Sequence, residues 1–343
     1  MLDTSALHVD APDQSALDFR LLNDFQRGFP FVARPYAVLA ERLGCSQAEV
    51  MARLASLRAQ GSVSRIGAVF APGRVGVSTL AALAVPPERL EAVAALVSAH
   101  PEVNHNYERE HRFNLWYVAT APHAQALAAV LANIRVETGC PAVVAPLLRE
   151  YHIDLGFDMH GREAKYRHDC LARKQPARML AAAERRIVQA LAEGLLCVER
   201  PYLALAEAAA VNEAAVLDYL AAWLAEGLVK RFGVIVRHHE LGYRANAMCV
   251  WDVPDEEVDA LGARLAAIPG VNLCYRRLRD GAAWPYNLYC MIHGRDRDAV
   301  EAQIFGLRAA CGLGEYRGAV LFSRRRFKQC GARYAAAAER ALA

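Results

Sequence analysis

The 343-residue chain contains no CxxC pair, and its nine cysteines, an odd number, are scattered. That pattern argues against a disulfide framework or a spaced zinc site, and for the reduced thiols of a cytoplasmic protein. No apolar run reaches bilayer-crossing length, because Arg, Glu or Asp interrupts the Ala-rich segments every few residues. The first residues carry Asp3, Asp10, Asp13 and Asp18 with no basic-then-apolar order, so no secretory signal is expected. A Gly-rich phosphate loop, a nucleophile elbow and metal-ligand spacing are also missing. An excess of either charge is also lacking, with 40 Lys and Arg against 37 Asp and Glu, and a net +3 does not by itself imply a nucleic-acid binder. What remains is a soluble globular chain, 55% hydrophobic and 22% charged, long enough for two or more cores.

Its main feature is an internal duplication. Ala33–Gly67 lines up with Glu199–Gly233, with Arg34-Pro35-Tyr36 on Arg200-Pro201-Tyr202 and Arg65/Gly67 on Arg231/Gly233. Val85–Tyr107 then matches Val253–Tyr275, and Phe113–Ala121 matches Tyr286–Gly294. Each repeat opens with helix, helix, turn, helix and short β runs, the order of a winged helix-turn-helix. Ser46 and Glu49 fit a capping box at the third helix. Each repeat continues with the β-α-β-β-α-β order of a ferredoxin-like sandwich, so the fold class is α+β. The expected division is a leader (1–15), a first winged helix-turn-helix (16–77) and a first ferredoxin-like domain (78–158). A linker (159–178), a second winged helix-turn-helix (179–243), a second ferredoxin-like domain (244–334) and a tail (335–343) follow.

The densest chemistry lies in Val103–Ala121, a hairpin of two alternating runs around a charged turn. Alternation places Asn104, Asn106 and Glu108 on one face and His105, Tyr107 and Arg109 on the other. The turn adds Glu110, His111 and Arg112 beside an aromatic-rich strand.

The motifs NHNYEREHRFNLWYV in the first repeat and LCYRRLRDGAAWPYNLYCMIHGR in the second resemble the signatures of the two partner subunits of siroheme decarboxylases. LREYHIDLGFDM (Leu148–Met159) and LFSRRRFKQCGARY (Leu321–Tyr334) resemble their tail motifs. The wider layout is similar to that of leucine-responsive regulators, which bind DNA and small effectors. The resemblance implies a fused pseudo-heterodimer that removes CO2 from the C12 and C18 acetates of siroheme, for haem d1 or an alternative haem route. It implies no organic cofactor and no protein-bound metal, since the iron arrives with the substrate. A higher oligomer and handover to later enzymes stay open.

The residue types suit such a task. Arg109, Arg112, Arg276 and Arg277 can clamp carboxylates in bidentate fashion. Tyr107, Trp116, Tyr275, Trp284 and Tyr286 offer flat apolar walls to a macrocycle. His105 and His111 are the leading acids, with Arg109 beside them; either histidine is alternatively a ligand to the substrate's iron. His152, Arg324, Arg326 and Lys328 are further candidates for walls or carboxylate contacts. Asn114 and Asn287 occupy matching positions and either cap a turn or bond a substrate carboxylate. Leu273 stands where the first repeat has His105, so one composite site is expected rather than two. The bland readings are structural strand histidines, surface ion pairs of small value, and a basic strand edge at Ser323–Gln329.

The helix-turn-helix order raises DNA binding. The second candidate recognition helix, Asn212–Glu226, has no Lys or Arg, so it lacks phosphate neutralisation and base-edge donors. A tetrapyrrole-responsive transcription regulator and a non-catalytic tetrapyrrole carrier are therefore the alternatives, and no nucleic acid or membrane partner is expected. His238-His239 are placed in the second wing, where adjacent strand residues face opposite ways.

Overall fold

A computed structural model describes residues 14–153 and 178–334. Most of the predicted leader and linker, the predicted tail and the end of the LREYHIDLGFDM motif lie outside the described residues, and the last two leader positions, Gln14 and Ser15, already belong to the first helix. The first repeat begins with α1 (Gln14–Asp24), α2 (Pro35–Leu43), α3 (Gln47–Ala59) and β1 (Val63–Phe70). It continues through β2 (Val77–Leu83), α4 (Leu90–Ala99), β3 (Val103–Arg109), β4 (Leu115–Ala121), α5 (Ala124–Thr138) and β5 (Ala142–Ile153). The second repeat supplies α6 (Ala182–Ala190), α7 (Pro201–Ala208), α8 (Glu213–Ala225) and β6 (Val229–Val236). After these come β7 (Ala245–Trp251), α9 (Val258–Ala266), β8 (Val271–Arg277), β9 (Leu288–Gly294), α10 (Arg297–Cys311) and β10 (Gly318–Gln329).

Local signals account for the helix starts. Ser46 and Glu49 exchange side-chain and backbone bonds at α3, the expected capping box. Pro35 and Pro201 open α2 and α7, where a missing N–H costs nothing. The two helical units share one core, to which Leu54 and Leu57 of α3 and Leu220 and Trp223 of α8 all belong. Two phenols clasp the halves reciprocally. Tyr36 donates to Leu196 O and Tyr202 to Pro30 O, each at 2.8 Å. Matching residues bonding matching residues is the signature of a two-fold interface, here within one chain.

The wings take a different form from that expected. Each repeat contributes one strand, and β1 and β6 pair antiparallel with Gly67 opposite Gly233. A lone strand leaves its ladder groups unpaired, and the matching strand of the other half satisfies them. Gly233 is required there, because a Cβ would stand 2.3 Å from Phe25 O. His238 and His239 lie in a short 3-10 turn, not in a wing strand.

The ferredoxin-like halves also merge. Each keeps the strand order of a split βαββαβ unit, but the eight strands close into one antiparallel barrel, β10-β3-β4-β2-β5-β8-β9-β7. The 12-residue strands β5 and β10 close it. The start of β5 pairs with β2 and its end with β8, while β10 passes from β7 to β3. Helices α4 and α5 cover one side and α9 and α10 the other, each over its own apolar layer. A further cluster, including Trp116, Val143, Met248, Trp284 and Leu321, draws on both halves and fills part of the interior.

Candidate functional site

Strand β3 carries the interior-facing residues anticipated from the sequence. Tyr107 stands opposite Trp116 of β4 and Arg326 of β10, and His105 opposite Gln329. His105 stacks on Tyr107 with ring centroids 6.2 Å apart, and the Arg109 guanidinium lies 6.0 Å from the same ring. On the other face, Asn106 donates to Ala94 O of α4 at 3.1 Å, and Glu108 pairs with Arg325 at 2.6 Å. A bulge between Val103 and His105 turns Asn104 away from strict alternation.

The second half repeats part of this arrangement. The Arg277 guanidinium sits 5.0 Å from the Tyr275 ring and donates to Ala145 O at 2.9 Å. At the matching positions, Arg109 donates to Leu321 O at 3.1 Å. Neither arginine has an ion-pair partner among the described residues. Burial lowers both guanidinium pKa values, that of Arg109 to about 10.

Two arginines that no sequence motif singled out complete the first-half site. Arg65 of β1 and Arg237, just after β6, reach down from the helical layer. The charge of Arg65 acts on His105, and those of Arg109, Arg326 and Arg237 act on the Tyr107 phenol. Glu240 is the one carboxylate that also acts on Tyr107, and it pairs with Arg326. Burial first, then Arg65, drives the His105 pKa down to about 4, so the imidazole is neutral at neutral pH. The Nε groups of Arg65, Arg237 and Arg277 are buried donors without a partner among the described residues. His105, Tyr107, Arg65, Tyr275 and Arg277 all keep accessible surface, although burial is the leading influence on each pKa. That combination belongs to side chains lining an internal recess.

Several other candidates are placed elsewhere. His111 sits in the turn beyond Arg109, its Nδ1 accepting from Phe113 N–H at 3.0 Å and its ring edge-on to Trp284 at 5.3 Å. His105 and His111 are therefore not an adjacent acid pair: most of β3 separates them, roughly 13 Å from position 105 to 109 at strand rise. Trp116, Trp284 and Tyr286 pack against one another as a buried plug, with centroids 4.9 and 4.8 Å apart, and so are not open walls. Arg112 is exposed over Phe113.

Asn114 and Asn287 each hold both backbone groups of a valine, Val85 and Val253, which makes them latches and not carboxylate ligands. Arg276 pairs with Asp255 at 2.9 Å and Asp259 at 3.5 Å, outside the barrel. Lys328 donates to Ser98 O and His100 O, at the end of α4. Arg324 is exposed between Glu108 and Glu110. His152 is paired with Cys274, whose side chain is in the core beneath α9, on the opposite face from Tyr275. Of the basic run in β10, Arg326 alone faces the recess.

Comparison with known proteins gives this geometry a context. Residues 18–63 and 184–229 match the siroheme decarboxylase NirDL-like HTH domain, and residues 74–152 and 240–328 match the AsnC-like ligand binding domain. A siroheme decarboxylase NirDL subunit from Paracoccus pantotrophus is 46% identical over 317 residues, covering 92% of this chain and 96% of the relative. The chain belongs to the siroheme decarboxylase family. Within this family, the crystal structure of the siroheme decarboxylase NirDL superposes with a TM-score of 0.65 at 26% identity, covering 94% of this chain and 95% of the other. A crystal structure of NirDL in co-complex with an iron-uroporphyrin III analogue gives 0.64 at 27% identity, covering 94% of both chains. Duplicated helix-turn-helix and AsnC-like units are thus the architecture shared with this family. No helix among the described residues is long and apolar enough to cross a membrane.

Proposed function

We propose that this chain decarboxylates siroheme, converting the C12 and C18 acetates to methyl groups at one composite site in the first-half recess. The observation that carries the reading is the excess of guanidinium there. Arg65, Arg109, Arg237 and Arg326 gather around Tyr107 and His105, with two described carboxylates acting on the group, Glu240 on Tyr107 and Glu193 on Arg65. Arg65 and Arg237 donate to backbone carbonyls, Ala68 O and Gly61 O, and form no ion pair among the described residues, so bound anions would balance their charge. A macrocycle bearing eight carboxylates supplies such anions. The related NirDL forms a complex with an iron-uroporphyrin III analogue, a ligand of the same polyacidic class.

In this reading, Tyr107 flanks the ring, Arg65, Arg237 and Arg326 hold peripheral carboxylates, and Arg109 orients the reacting acetate. Each turnover breaks the bond between methylene and carboxylate, releases CO2 and consumes one proton at the methylene carbon. His105 is the donor of that proton, and solvent restores it. The iron enters as part of the substrate, no organic cofactor takes part, and the compartment is the cytoplasm.

The helical layer supports an enzyme over a DNA reader. In α3, Arg53 is held by Asp18 and Arg58 donates to Glu193 O at 3.1 Å, so both basic side chains have internal partners. Anaerobic incubation with siroheme, followed by mass spectrometry, tests the proposal. Two successive losses of one CO2 each are expected. Binding without mass loss indicates a carrier, and a salt-sensitive shift of DNA indicates a regulator.

A further inference from the structure

Beside His105 lies a short polar chain that the reaction scheme above leaves unused. His105 Nδ1 is 3.1 Å from the Asn104 side-chain oxygen, and the Asn104 amide nitrogen donates to Thr120 Oγ1 at 3.2 Å. With its amide N–H committed to Thr120, Asn104 presents an acceptor to the imidazole, so the hydrogen belongs on Nδ1. Asn104 and Thr120 are both buried. Their meeting depends on the β3 bulge, which re-aims Asn104 onto its chain neighbour, the use to which bulges are put beside active sites.

We infer that Asn104, held by Thr120, is a positioning residue that fixes neutral His105 as the Nδ1–H tautomer and turns the Nε2 lone pair into the recess. The inference rests on the reading of His105 as the proton donor. A histidine fixed in this way takes up and gives back its proton at Nε2 only, while the ring stays anchored through Nδ1. Without the anchor, neutral imidazole reverts to the Nε2–H form that free side chains prefer, and the ring can swing from the substrate. The second half underlines the point. Asn272 occupies the matching bulge, but Leu273 replaces the histidine, and Asn272 Oδ1 instead meets His293 Nδ1 at 2.9 Å. The bulge and its asparagine are thus present in both halves, but the imidazole that the asparagine meets belongs to the bulged strand itself in the first half and to β9 in the second.

The first test needs no turnover. Imidazole nitrogen NMR of the full chain labelled with 15N-histidine, with His105→Gln used to assign the signal, reads the tautomer directly. The expected result is Nδ1–H in the native protein and a change to Nε2–H or an averaged signal in Asn104→Leu. Native His105 as Nε2–H would overturn the inference.

The second test is kinetic. Asn104→Leu should lower kcat for siroheme decarboxylation roughly 10- to 100-fold with siroheme affinity unchanged, and Asn104→Asp, which keeps the acceptor, should restore most of it. Equal losses in both variants, or a loss confined to affinity, would overturn it. If the native chain binds siroheme without releasing CO2, the functional reading fails while the NMR result still decides the tautomer.

Discussion

The depressed pKa of His105 makes substrate binding itself a measurable proton event. With a pKa of about 4 in the protein alone, roughly one imidazole in a thousand is protonated at pH 7. Raising that population to a half requires about 4 kcal/mol of differential stabilisation of the charged form, at about 1.36 kcal/mol per pKa unit. One carboxylate about 4 Å away supplies an interaction of that order, roughly 4 kcal/mol at the effective dielectric of a partly buried site. A polyacidic substrate also offsets the charge of Arg65, the second cause of the depression. Binding should therefore raise the His105 pKa to near or above neutrality and draw between about half and one proton from solvent. Calorimetric titration at pH 7 in buffers of different ionisation enthalpy measures that number. His105→Gln should remove the uptake while leaving binding intact. No uptake by the native protein, or an uptake that survives His105→Gln, would refute the assignment of His105 as the acid.

The same group sets a pH dependence of stability in the protein alone. The folded-state pKa of about 4 lies below the unfolded value near 6.5, so the folded state binds fewer protons between those limits. Stability attributable to His105 is complete above about pH 6.5 and declines as pH falls toward 4, by at most about 3 kcal/mol. Denaturant titrations should show a shallower decline over that window in His105→Gln. An identical decline in the two proteins would show that the imidazole is not buried as described.

Further substitutions test the placement of other residues. His105→Gln should reduce decarboxylation at least about 100-fold, as loss of a general acid does, whereas His111→Gln should stay within a few-fold of native activity in steady-state assays. Arg326→Gln should weaken siroheme binding about tenfold or more by optical titration, while Lys328→Gln should alter thermal stability and leave affinity unchanged, since Lys328 is engaged with the end of α4. Tyr36→Phe removes one half of the reciprocal clasp and should cost about 1 kcal/mol in chemical denaturation.

Much of this architecture was legible in the sequence because the duplication doubled every signal. Matching Arg-Pro-Tyr and Asn-Leu segments fixed the repeat register, and the element boundaries followed from periodicity and caps. The closure of the barrel was not legible, because the pairing of β10 with β3 and of β5 with β8 joins segments distant in the chain. The bulges were equally hidden. Strict alternation from Glu150 would turn His152 inward, but a register shift between them reverses the parity and sends it under α9. The same shift between Arg326 and Lys328 separates one inward cation from one outward. Arg65 was visible only as a repeat match with Arg231, and Arg237 as a neighbour of two histidines. Their action on His105 and Tyr107 respectively comes from the stacking of the helical layer on the barrel, for which no local pattern exists.

The two lobes diverge where a second site would otherwise stand, and the divergence is electrostatic as well as chemical. Matching residues give each lobe a tyrosine, an arginine stacked on it and a carbonyl that holds the arginine. At the position of Arg326, however, the second lobe has Glu150, opposite Tyr275 and paired with Lys230. Arg231, the repeat partner of Arg65, donates to Gln26 O and Val234 O and is buried in the helical core instead of reaching the barrel. A polyanion approaching the second lobe thus meets a carboxylate and two fewer guanidiniums, and finds Leu273 where a proton donor would be needed. Replacing Glu150 alone would remove the repulsion but strand Lys230 and supply no acid. Calorimetry on Glu150→Gln should therefore still count one siroheme per chain, with the native rate of CO2 release. A second equivalent bound with comparable affinity would show that one carboxylate, and not the combined loss of histidine and arginines, is what silences the second lobe.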